Sequence, residues 1–117
     1  GPLHLQAPDA EALMRSRYSA FVKELAEYLQ LTWHPSTRPG EPPAFEPGLR
    51  WLGLSVLQAA LSGDDQGVVS FVARYKLGGR AHRLAERSLF VREGGRWYYW
   101  RADPPADLPL ADVPASV

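Results

Sequence analysis

The chain changes its hydrophobic rhythm near its middle. Leu13, Met14, Tyr18, Phe21, Val22, Leu25 and Leu29 recur at three- and four-residue intervals, with Glu24 and Glu27 on the other side. That is the apolar stripe of an amphipathic helix, continuing or kinking toward Thr32. Asp9 stands where an N-cap belongs, and Pro35 disfavours a helical residue before it. Residues 34–48 carry five prolines and two glycines and read as a stiff loop. From Leu49 the period becomes two. Strands are predicted over 49–61, 68–77, 81–92 and 96–101. The turns between them, Ser62–Gly67, Gly78–Gly79 and Glu93–Gly95, are too short for crossovers, so the strands form an antiparallel meander. The fold class is therefore α+β, N-terminal helices on a curved antiparallel sheet of four or more strands. Residues 1–103 form one domain, and 104–117 are a Pro/Ala/Asp-rich tail.

Strand alternation assigns Phe71, Ala73, Tyr75, Leu84, Glu86, Ser88 and Phe90, with Trp97 and Tyr99, to the face the helix covers. Cross-strand register is invisible at this level, so the last strand could be reversed. The other face mixes Val68, Val72, Leu89, Val91, Tyr98 and Trp100 with Arg74, Arg83 and Arg87. Arginine among aromatics suits a protein interface and also a nucleic-acid platform. A homodimer through this sheet face, or cover from the tail, is the favoured reading.

Glu86 is the exception on the inner face, because a buried carboxylate needs a cation, hydrogen bonds or a proton. Arg17 lies between Leu13 and Phe21 at four-residue spacing and is the expected partner. A structural ion pair is favoured over a polar group at the base of a ligand pocket.

At 117 residues, 45% hydrophobic and 22% charged, the chain suits one globular core. The net charge of zero hides a division: residues 66–101 hold eight basic side chains against Glu86 and Glu93 alone. An anionic partner, RNA or a ribosomal surface, is conceivable on that half, but a solvated face is the commoner meaning of a charge run. With no cysteine, disulfides and thiolate metal sites are excluded within this sequence. His4, His34 and His82 are not at ligand spacing, so neither metal nor cofactor is expected. No apolar stretch is long enough to span a membrane and no signal peptide is visible, which makes the cytoplasm the default location.

Three segments, Ala12-Leu-Met-Arg-Ser-Arg-Tyr-Ser-Ala-Phe21, Thr32-Trp-His-Pro-Ser-Thr-Arg-Pro39 and the strand residues from Val69 to Tyr99, resemble the YchJ family of small bacterial proteins. The resemblance implies a nuclear transport factor 2-like cone, in agreement with the helix-then-meander pattern, and supplies no reaction. Relatives usually begin with a zinc-binding, cysteine-rich SEC-C motif ending in Cys-Cys-Gly-Pro. This chain starts at Gly1-Pro2, as if cut after those cysteines or trimmed from a tag. Ala85 stands where a histidine commonly precedes Glu86, which weakens His–Glu acid/base chemistry there.

Trp33-His-Pro-Ser-Thr-Arg38 combines an aromatic plate, an imidazole, hydroxyls and a guanidinium at the helix end. It reads first as a helix-terminating motif and second as a ligand-holding rim. The candidate pocket joins this rim (Trp33, His34, Arg38) to Arg17 and Tyr18 of the helix. Glu86, Ser88, Trp97 and Tyr99 of the sheet complete it. The expected role is a non-catalytic module binding an unknown small ligand or a protein. A hydratase- or isomerase-type enzyme using Glu86 with Arg17, His34 or Tyr99 is the alternative.

Overall fold

A computed structural model describes residues 8–103. Asp9 caps the first helix, α1 (Ala10–Val22): its extended backbone turns the chain and its Oδ1 accepts from the Ala12 N–H at 2.7 Å. Ala10, Leu13, Met14, Arg17, Ala20 and Phe21 form its buried face; of the predicted stripe, Leu13, Met14 and Phe21 lie on it while Val22 and Leu25 are exposed, because the chain turns after Val22. On the wet side Glu11 and Arg15 pair one turn apart.

The helix does kink short of Thr32, and the break has a defined chemistry. Glu24 adopts φ 55°, while its N–H reaches Phe21 O at 3.3 Å and the Leu25 N–H reaches Ala20 O at 2.8 Å. That is a Schellman closure with glutamate in the left-handed position where glycine is usual. A second helix, α2 (Ala26–Leu31), then buries Leu29 against the same core.

Four strands follow: β1 (Arg50–Gly63), β2 (Gln66–Leu77), β3 (Arg80–Glu93) and β4 (Arg96–Ala102), in the order β1-β2-β3-β4 with every pair antiparallel. They run past the predicted ends because ladder hydrogen bonds carry pairing beyond the apolar alternation, down to two-residue turns. At Gly78–Gly79 and Gly94–Gly95 both residues have positive φ, the geometry whose twist matches the strands on either side. Irregularities at three points of the β1–β2 pairing, and one between Leu89 and Phe90, bend the sheet.

The register settles the faces. Phe71 lies opposite Glu86, Val69 opposite Ser88, Phe90 opposite Tyr99 and Arg92 opposite Trp97. Trp97 and Tyr99 therefore point to the helices, and β4 is not reversed. Phe71, Ala73, Phe90, Trp97 and Tyr99 pack with Leu13, Met14, Phe21 and Leu29 in one core, closed on one side by Phe45 and Trp51. Gly67 is where α1 starts against the sheet: a Cβ there would lie 2.9 Å from the Ala10 Cβ. No described helix is long and apolar enough to cross a membrane. The predicted tail, 104–117, lies outside the described residues.

Candidate functional site

Arg17 is the centre of the interior and is completely buried. Its position in the middle of the α1 apolar stripe forces it inward, and everything around it is then organised to hold a cation. Nη1 donates to Leu29 O at 2.8 Å and to Thr32 Oγ1 at 2.6 Å. The guanidinium carbon lies 4.8 Å from the Tyr99 ring and 5.6 Å from the Trp33 ring, both cation–π contacts. Those two rings meet edge-to-face at 4.9 Å.

Backbone pairing puts the rings there. Tyr99 N–H donates to Thr32 O at 2.8 Å and His34 N–H to Tyr99 O at 2.7 Å, so residues 32–34 run alongside β4 as a short parallel bridge. Arg38 braces the same segment, its Nε reaching Trp33 O at 2.9 Å and its Nη2 reaching Leu31 O at 3.3 Å. Thr37 Oγ1 donates to Trp100 O and accepts from Trp33 Nε1.

The expected Arg17–Glu86 ion pair is not made. Among the described residues, Arg17 Nε and Nη2 have no hydrogen-bond partner, and no carboxylate oxygen of Glu86 lies within ion-pair distance. Half-buried Glu86 instead accepts from Ser88 Oγ at 2.7 Å, a neighbour two residues along the same face of β3. The two charges still sense each other. Burial pushes the Glu86 carboxyl above the usual carboxylate range, against the opposing pull of the Ser88 hydrogen bond and the Arg17 charge. Burial likewise pushes Arg17 down to about 10, against the raising influence of Tyr99, Tyr28 and Glu86.

The predicted site residues thus separate. Arg17, Trp33 and Tyr99 belong to one cluster between the helices and the sheet, and Glu86, bonded to Ser88, is near enough to sense the Arg17 charge without contacting it. Tyr18 lies toward β1, edge-on to Trp51 at 5.7 Å; burial raises its hydroxyl pKa, opposed by a hydrogen bond with the Gly53 backbone. Trp97 fills the far end of the core beside Gly67, with Arg92 over its ring at 5.5 Å. Arg38 is a backbone brace. His34 turns away from Glu86: its Nδ1 accepts the Ser36 N–H at 3.1 Å, which leaves the proton on Nε2 to be donated to Glu93. Its ring also sits edge-on to Tyr98, a residue of the outer face.

Sequence reasoning missed Thr32 and Leu29, the groups that hold Nη1. The Leu29 contact uses a backbone carbonyl, for which no residue type can signal. Thr32 sits at the end of α2, where its hydroxyl donates back to Tyr28 O at 2.7 Å and so turns its lone pairs toward Arg17. Among the described residues, no group of three or more His, Cys, Asp or Glu side chains is arranged to hold a metal ion.

Known proteins match both the fold and these segments. A UPF0225 protein of Methylibium petroleiphilum is 64% identical over 105 residues, covering 86% of this chain and 76% of its own length. A UPF0225 protein of Bordetella pertussis is 52% identical over 103 residues, covering 88% and 77%. The solution structure of a SEC-C motif-containing protein from Rhodopseudomonas palustris superposes with a TM-score of 0.72 at 32% identity, over 82% of this chain and 78% of that one. The crystal structure of a SEC-C motif-containing protein from Psychrobacter arcticus gives 0.68 at 28% identity, over 80% of this chain and 59% of that one. Cysteine is absent from this sequence, so the thiolates of such a motif are not among its residues. Residues 9–102 match the family described as YchJ, middle NTF2-like domain. With its two helices on a four-stranded antiparallel meander, the chain belongs to the YchJ family and carries that family's NTF2-like α+β domain.

Proposed function

We propose that this domain is a non-catalytic binding module that takes a small ligand into the interior beside Arg17, Trp33 and Tyr99, near Glu86 and Ser88. One observation carries the reading: a fully buried arginine finds no partner for Nε and Nη2 among the described residues. Buried N–H groups of a cation are almost always satisfied, and leaving them open costs about 1–3 kcal/mol each. A fold that only needed a structural cation would satisfy them, and Glu86 is held nearby yet elsewhere engaged. Binding is favoured over catalysis because His34, the imidazole among the candidate acid/base groups, is committed to Ser36 and Glu93.

The test is native mass spectrometry of protein purified under mild conditions, beside Arg17→Met. The reading predicts an adduct, or a compound raising Tm in a thermal-shift screen, that disappears in the variant. A bare polypeptide mass, together with a screen in which no stabilising compound depends on Arg17, would overturn it.

A further inference from the structure

From the way Arg17 is held, we infer that the ligand is a small planar carboxylate bearing a hydrogen-bond donor, its carboxylate on the Nε/Nη2 edge of Arg17 and its donor on Glu86. This rests on the binding reading above and narrows it to a chemical class. A guanidinium has two faces and three edges at which it can be engaged. Here Tyr99 and Trp33 lie against the guanidinium π system and Nη1 is spent on Leu29 O and Thr32 Oγ1. What remains is Nε with Nη2, the two nitrogens whose N–H bonds run parallel on one side of the group. That fork matches the two oxygens of a carboxylate. A single water or carbonyl oxygen can accept from both N–H groups only through bent bonds, whereas two carboxylate oxygens give each a straight one.

The second half of the site is Glu86. Ser88 donates to its Oε2 and holds the side chain in place rather than letting it close onto Arg17. A hydroxyl or amide N–H on the ligand finds an acceptor in the Glu86 carboxyl, which already accepts from Ser88 Oγ. The ligand must also be small. Arg17 is completely buried, so the ligand reaches it by local opening of the domain.

The inference is tested on 15N-labelled protein by following the Arg17 Nε–H resonance, assigned by its loss in Arg17→Lys. Sodium propionate and sodium lactate are added at ionic strength matched with sodium chloride, with acetamide and inorganic phosphate as further probes. Saturable movement of the resonance by both carboxylates, with lactate at least about tenfold tighter and its advantage erased in Glu86→Leu, is the expected result. An Arg17-dependent response to acetamide without one to carboxylates would overturn the carboxylate assignment and leave the binding module standing. A response to inorganic phosphate equal to that of lactate would overturn the planar class. If no probe moves the resonance and Glu86→Leu alone shifts it, Arg17 and Glu86 close on each other in solution, and both readings fall.

Discussion

Replacing Arg17 with methionine removes the most deeply buried charge of the domain, and two accounts of that charge predict different outcomes. If Arg17 were a satisfied structural cation, breaking its interactions would cost about 3–5 kcal/mol, as for other buried ion pairs. The structure gives a smaller sum. Two charge-assisted hydrogen bonds from Nη1 contribute about 1.5–3 kcal/mol each, and the ring contacts add about 2 kcal/mol. Against them stands the burial that pushes the pKa down to about 10, a net penalty on the charged form of about 3 kcal/mol that already includes the desolvation of Nε and Nη2. Methionine fills comparable space with flexible, polarizable atoms and recovers about 2 kcal/mol of apolar burial. The expected change in unfolding free energy is therefore a loss of no more than about 3 kcal/mol. In urea denaturation followed by tryptophan fluorescence this moves the midpoint by no more than about 2 M. A loss above about 3 kcal/mol would refute the reasoning and make Arg17 a structural cation whose open edge is satisfied in solution.

Three further outcomes are expected. The raised Glu86 pKa means that the folded state favours the protonated carboxyl, so its stabilising contribution is complete below the usual glutamate range and fades as pH rises through the folded pKa. Glu86→Gln should therefore gain stability relative to the parent as pH climbs from about 4 toward 7, and a flat difference across that range would contradict the assignment. Glu24→Gly should raise stability by about 1 kcal/mol, since glycine relieves the left-handed strain at φ 55° while the Schellman hydrogen bonds remain. Thermal melts check this, and a lowered Tm would count against the strain. Gly67→Ala should cost about 1–3 kcal/mol because its methyl group would press on Ala10; unchanged stability would show that α1 slides freely on the sheet.

Two properties of the fold were legible in the sequence because they are local. Helical spacing from Leu13 to Leu29 and alternation from Leu49 onward each report a periodicity that one face of an element must satisfy to be buried. The paired glycines marked hairpins because few other residues accept two consecutive positive φ values. Burial of Arg17 and the inward direction of Glu86 followed from the same counting. The kink at Glu24 was only half visible, since nothing in a glutamate announces a left-handed turn; the packing of Leu29 in the same core as Phe21 accompanies it.

Tertiary structure decided what the inward groups meet. Opposite charges on facing elements suggested a direct pair, but side-chain reach depends on where the elements cross and which neighbours compete. Thr32 and the Leu29 carbonyl, brought beside α1 by the α2 kink, took Nη1, and Ser88 took Glu86. His34 could be placed at the pocket rim from its neighbours in sequence, but the backbone bridge to Tyr99 turned its ring toward Glu93. Sequence by itself determined that Leu13, Met14, Phe21, Phe71, Tyr75, Phe90, Trp97 and Tyr99 face inward, because burial follows from periodicity, whereas the exposure of Val22 and Leu25 and the burial of Val72 did not follow from it. Only the folded arrangement decided that one edge of the buried arginine stays open, because hydrogen-bond satisfaction depends on distances between segments far apart in the chain.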